Sequence, residues 1–162
     1  MKKRRILSLF LVLSLFLLSC SSTREIIKPP DLKFVYMTLS KEIEVETFNA
    51  VPKNPTTIFS PKDREVVAFL KLENLWGVHT LRWDWLEPDG NLYYSTGDYP
   101  IRSAEGKYLR EVAVWHKLSI RGEAAENLMG DWTVKVFFDK EVLASKNFRI
   151  GTEVKGLPEI AR

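Results

Sequence analysis

The dominant pattern in the chain is an alternation of apolar and polar side chains with period two. Over Glu65–Asn74, Val66, Ala68, Leu70 and Leu72 fall on one face, opposite Val67, Phe69, Lys71 and Glu73. Successive side chains of a strand point to opposite faces, so this spacing predicts a strand with one face in a core. The same alternation recurs at His79, Leu81, Trp83 and Trp85, with Thr80, Arg82 and Asp84 between them. In Leu109–Ile120 the core face is Val112, Val114, Leu118 and Ile120, with His116 among them and Trp115 pointing the other way. Asp131–Phe138 carries Trp132, Val134, Val136 and Phe138 inward, and Val142–Ile150 closes the series with Val142, Ala144, Phe148 and Ile150 inward. Upstream, Phe34–Leu39 is a short apolar run, and Lys41–Thr47 alternates Ile43 and Val45 with Glu42, Glu44 and Glu46.

Turn signals divide these runs. Glu87–Asn91 contains Asp89-Gly90, a pair that accommodates the positive φ of a hairpin turn, and Leu92–Ser95 returns as a strand. Pro52 and Pro55 mark Ala50–Thr57 as a loop, and Gly97–Lys107 is rich in turn formers. Ala124, Ala125 and Leu128 have the spacing of one short helical turn near 123–129. Strands arriving about every 8–12 residues without a long helix predict an all-β antiparallel sandwich of seven to nine strands.

Three segments carry a resemblance. Phe59-Ser60-Pro61-Lys62-Asp63, Arg82–Gly90 and Gly130–Phe138 resemble immunoglobulin-like β-sandwich domains of bacterial secreted proteins and lipoproteins, over residues 34–150. The chain departs from antibody domains in lacking the inter-sheet cysteine pair, since Cys20 is its only cysteine. The resemblance implies a domain that binds or spaces other molecules; the fold alone assigns no activity.

The first twenty residues follow a different pattern. Lys2, Lys3, Arg4 and Arg5 precede the apolar run Ile6–Leu18, which is 13 residues long. A bilayer span needs about 20 apolar residues, so the run suits a signal-peptide core rather than an anchor. Leu17-Leu18-Ser19-Cys20 resembles the bacterial lipobox. That resemblance implies cleavage before Cys20, a diacylglycerol on its thiol and a further acyl chain on its new amino group. A lone thiol in an exported chain is then accounted for. Ser21, rather than an aspartate, follows the cysteine, which points to the outer membrane, on its periplasmic side or at the surface. The expected organisation is a signal peptide at 1–19, a lipidated tether at 20–33, the sandwich at 34–150 and a tail at 151–162. Pro29-Pro30 keeps the end of the tether extended.

Charge changes the picture once the signal is removed. The full chain carries 24 basic and 21 acidic residues, a net +3. Without Lys2, Lys3, Arg4 and Arg5 the balance is 20 against 21, about −1. No basic stripe remains to favour nucleic acid.

Candidate chemistry is sparse. His79 and His116 are the two histidines, and no HExxH, calcium-loop or GxSxG pattern accompanies them. The sequence therefore predicts no catalytic residues, no metal and no cofactor. Two binding readings remain. In the first, Val67, Phe69 and Trp115 form an apolar patch on the outward sheet face that contacts another envelope protein, although Phe34–Phe48 could cover the same face. In the second, the ring faces of Tyr93, Tyr94 and Tyr99 stack on a glycan such as peptidoglycan. The membrane, through lipid on Cys20, is the remaining expected partner.

Overall fold

A computed structural model describes residues 30–46 and 49–151. The expected signal peptide at 1–19, Cys20, most of the expected tether and all but the first residue of the expected tail at 151–162 lie outside the described residues. The strands are β1 (Lys33–Glu46), β2 (Asn49–Pro55), β3 (Ile58–Phe59), β4 (Glu65–Trp76) and β5 (Val78–Leu86). They continue as β6 (Leu92–Ser95), β7 (Tyr99–Arg102), β8 (Tyr108–Ser119), β9 (Gly130–Phe138) and β10 (Glu141–Ile150). A 3-10 turn at Ala124–Asn127 occupies the place where a helical turn is expected.

One sheet has the order β2-β1-β4-β8, and the other β3-β10-β9-β5-β6, with β7 also on β5. This is an immunoglobulin-like sandwich: β1, β4 and β8 stand as strands A, B and E, facing β5, β9 and β10 as C, F and G, with β6 in the C′ place. All ladders are antiparallel except β3 on β10, which is parallel. Between the sheets lies a core centred on Leu70, Leu72, Trp83, Trp85, Trp132 and Ile150, all fully buried. Trp132 stacks on Phe148 at 6.1 Å and donates its indole N–H to the Leu128 carbonyl at 2.8 Å. The buried polar end of each large ring thus has a partner, as burial of an indole requires.

The ten strands exceed the expected seven to nine for local reasons. Ala50–Thr57, expected as a loop, overlaps β2, because an edge strand can carry prolines, and lose a ladder bond to them, where a central strand could not. Gly97–Lys107 contains β7, which pairs with the start of β5. The two apolar runs upstream are a single strand, β1, whose first half pairs with β4 and whose second half pairs with β2. Val142, expected inward, is 59% exposed. A register shift between Val142 and Ala144 reverses the strand phase there, while Phe148 and Ile150 keep the expected inward one.

Candidate functional site: an open sheet edge

An immunoglobulin sheet of the A-B-E type ordinarily continues with strand D beside E. Here the segment between β5 and β8 goes to the other sheet as β6 and β7. No described strand pairs with β8 on the side away from β4. The result is a 12-residue edge, Tyr108–Ser119, without proline and without a register shift against β4. Unpaired edges are usually blunted by shortness, proline, bulges or charge. β2 carries Pro52 and Pro55, β7 carries Pro100, β3 and β6 are short, and β10 is bulged. Among the described edges β8 has charge alone, chiefly Arg110, Glu111 and Lys117.

The outward flank of this edge holds Trp115, which is half-buried and stands opposite Phe69 in the register. Lys117 reaches Glu65 at 2.7 Å and Lys71 reaches Glu111 at 2.8 Å across the same face. Val67 and Phe69, expected beside Trp115 in an exposed patch, are 0% and 2% exposed. Tyr36 lays its ring over Phe69 at 5.9 Å. The end of the β1–β2 hairpin, Asn49–Pro52, shares a small cavity of about 170 Å³ with Tyr36, Phe69 and Lys71, and Ala50 is itself buried. The sheet face is thus partly covered from within the chain, by the Tyr36 ring and by Asn49–Pro52 rather than by 34–48 as a whole, and Trp115 alone of the three keeps solvent exposure.

The inward flank opens into a cleft of about 310 Å³ between β6 and β8, lined by Tyr93, Tyr94, His116, Lys117, Ser119 and Glu123. Trp85 donates its indole N–H to Nδ1 of His116 at 3.0 Å. An accepting Nδ1 carries no proton, so the neutral ring holds its proton on Nε2. Burial pushes the His116 pKa down and reinforces that state. The imidazole is stacked between Tyr94, at 5.5 Å and 15°, and Trp83, at 6.4 Å and 28°.

The three tyrosines do not form one platform. Tyr94 is 47% exposed and forms a wall of the cleft. Tyr93 turns edge-on to Trp132 at 5.1 Å, and the Tyr99 hydroxyl accepts the Trp83 indole N–H at 2.8 Å. Burial raises the Tyr99 pKa, outweighing that hydrogen bond. His79, at the far end of β5, is held by the Trp76 carbonyl and by Asp139, each at 2.7 Å. Burial raises the Asp139 pKa, but the hydrogen bonds from His79 and Thr80 outweigh it and the net shift is downward. Among the described residues no group of three or more His, Cys, Asp or Glu could hold a metal ion. The edge and cleft can offer backbone pairing on one side and aromatic stacking beside a neutral imidazole on the other. The open edge itself was not foreseen in the sequence, because it depends on where β6 and β7 pair.

No family model matches the chain, and no curated protein matches it. Among solved structures, an immunoglobulin-like protein from Pseudomonas aeruginosa is 15% identical, with a TM-score of 0.45, over 76% of this chain and 98% of its own. The alkylpurine DNA glycosylase AlkC of Pseudomonas fluorescens, solved on DNA containing an abasic site analog, is 12% identical with a TM-score of 0.44. That alignment covers 75% of this chain and 30% of the glycosylase. At these similarities neither protein's activity transfers to this chain.

Proposed function

We propose that the chain is a lipid-anchored docking domain of the bacterial cell envelope, without enzymatic activity, that holds another envelope protein by accepting one of its strands against β8. The observation that carries this reading is the strand-D place, vacant among the described residues: a long, unbulged, proline-free edge flanked by Trp115 outside and by the Tyr94–His116 cleft inside. Strand addition supplies affinity through main-chain hydrogen bonds and specificity through pockets for alternate side chains. Each added bond contributes roughly 0.5–1.5 kcal/mol net, so five or six would give a useful fraction of a binding energy. Alternate residues of the incoming strand would meet Trp115 on one face and the cleft on the other. The lipid on Cys20, with the outer membrane as its site, rests on the lipobox resemblance.

A photo-crosslinking side chain placed at Lys117 or Ser119 in cells is expected to join one defined envelope protein, while the same group at Lys62 does not. The isolated complex should show slowed amide exchange over Leu109–Ser119. Equal adducts from all three positions, or unchanged exchange at β8, would reject strand addition. Mass spectrometry of the mature N-terminus checks the anchor, and an unmodified residue other than Cys20 there removes it. The glycan reading keeps one specific support, the exposed ring of Tyr94 beside the polar Ser119 and Glu123. Retention on purified peptidoglycan that is lost in Tyr94→Ala would favour it.

A further inference from the structure

The chain enters the sandwich at one end. Asn74 donates its side-chain N–H to the Asp31 carbonyl at 3.3 Å, and Lys33 lies opposite Glu73 in the first ladder, bridged at 3.0 Å. The same end holds the β4–β5 turn and the β7–β8 loop, joined by the Ser103 N–H on the Gly77 carbonyl at 3.0 Å. Four large apolar side chains are exposed there: Trp76 at 40%, Val78 at 71%, Tyr108 at 42% and Leu109 at 40%. Trp76 and Tyr108 are cross-strand partners, and Val78 lies opposite Arg102. Trp76, Val78, Arg102 and Lys107 line one open groove of about 550 Å³, with Glu105 its single acid. Arg110 is exposed next to Leu109.

We propose that this end of the sandwich seats on an anionic lipid surface. Trp76, Val78, Tyr108 and Leu109 enter the headgroup layer, and Arg102, Lys107 and Arg110 face lipid phosphates. Tryptophan and tyrosine favour the membrane–water interface, where an amphipathic ring has both solvents, and cations nearby gain from anionic headgroups. The position in the chain decides the occupant. The 10 residue-to-residue steps from Cys20 to Pro30 span at most roughly 36 Å, so an anchor at Cys20 delivers this end, and not the opposite one, to the bilayer. A contact too weak to hold a free domain then operates at the high local concentration that a short tether provides. The inference rests on the anchor proposed above, but only for how the domain reaches the membrane.

The test supplies the anchor chemically. The chain from Cys20 onward keeps every described residue, and its single thiol couples to a maleimide lipid in vesicles of brominated phosphatidylglycerol and phosphatidylcholine. Bromine quenches nearby tryptophan emission. Trp83, Trp85 and Trp132 are fully buried, and Trp115 lies seven residues along β8 from Tyr108, about 23 Å away. Quenching is expected in the wild-type chain, loss of it in Trp76→Phe, and a clear reduction at low salt in Arg102→Glu with Lys107→Glu. No quenching, or the same quenching in Trp76→Phe, overturns the proposal, including the case in which a protein rather than lipid uses this end. Failure of native lipidation would show separately, at the mature N-terminus.

Discussion

His116 is kept neutral from two directions, by burial and by the indole N–H of Trp85 that occupies its Nδ1. A charged imidazolium would have to give up that hydrogen bond inside a stack of aromatic rings. The folded pKa therefore lies below the ordinary 6.5, and the unfolded chain binds more protons in the interval between the two values. Stability then rises with pH through that interval and is lost as pH falls below 6.5 toward the folded pKa. Lys117 and Glu123 also line the cleft, so the comparison must isolate the ring. In urea titrations, wild-type protein should lose more stability between pH 7.5 and 5.5 than His116→Gln, whose amide oxygen can still accept from Trp85. Equal losses would show that the imidazole titrates freely. The same residue shows what side-chain type alone conceals. Its place on the core face of β8 was legible from period two, but its neutral state follows from an indole 31 positions away in sequence.

At the scale of elements, the strands with one buried and one polar face were read from the sequence nearly to their ends. β5 and β9 are the clearest, since Leu81, Trp83, Trp85, Trp132, Val134 and Val136 are all fully buried in the expected phase. The harder cases have physical reasons. β4 is buried on both faces over Glu65–Leu70, and period two gives no sign that Val67 and Phe69 lie beneath a hairpin. Prolines concealed β2, and a bulge reversed the phase at Val142. Gly130, which opens β9, illustrates a contact that no local pattern announces. Its φ is +143°, and a Cβ there would stand 2.8 Å from Cβ and 2.9 Å from Cγ of Pro88, in the β5–β6 turn. Gly130→Ala should destabilise the domain by about 1–3 kcal/mol, the usual range for overpacking, as read from the denaturation midpoint at unchanged slope. A wild-type midpoint would mean that the Pro88 turn moves aside without cost.

For the whole molecule, the decisive feature is the route of the chain after β5. By sending β6 and β7 to the sheet of β9 and β10, it leaves β8 with no described strand on the side away from β4 and opens the cleft beside Tyr94. Trp115→Arg should leave the domain folded while the crosslinked partner is lost; a collapse in melting temperature would instead identify Trp115 as part of the covered face with Tyr36 and Phe69. The other global feature is direction. β1 and β10 both run away from the end where the chain enters, so residue 33 and residue 150 sit at opposite poles of the sandwich. The last strand is gripped there by β3 in parallel, through the Arg149 N–H on the Thr57 carbonyl and the Gly151 N–H on the Phe59 carbonyl, each at 2.8 Å. A pull between the two poles draws β1 and β10 along their own axes, so it loads the ladders to β4 and β9, with this clamp, together and in shear rather than peeling their bonds one at a time. A domain fixed to a membrane at one pole and tugged at the other would behave as a tie rod, holding until its ladders give way together instead of unravelling strand by strand.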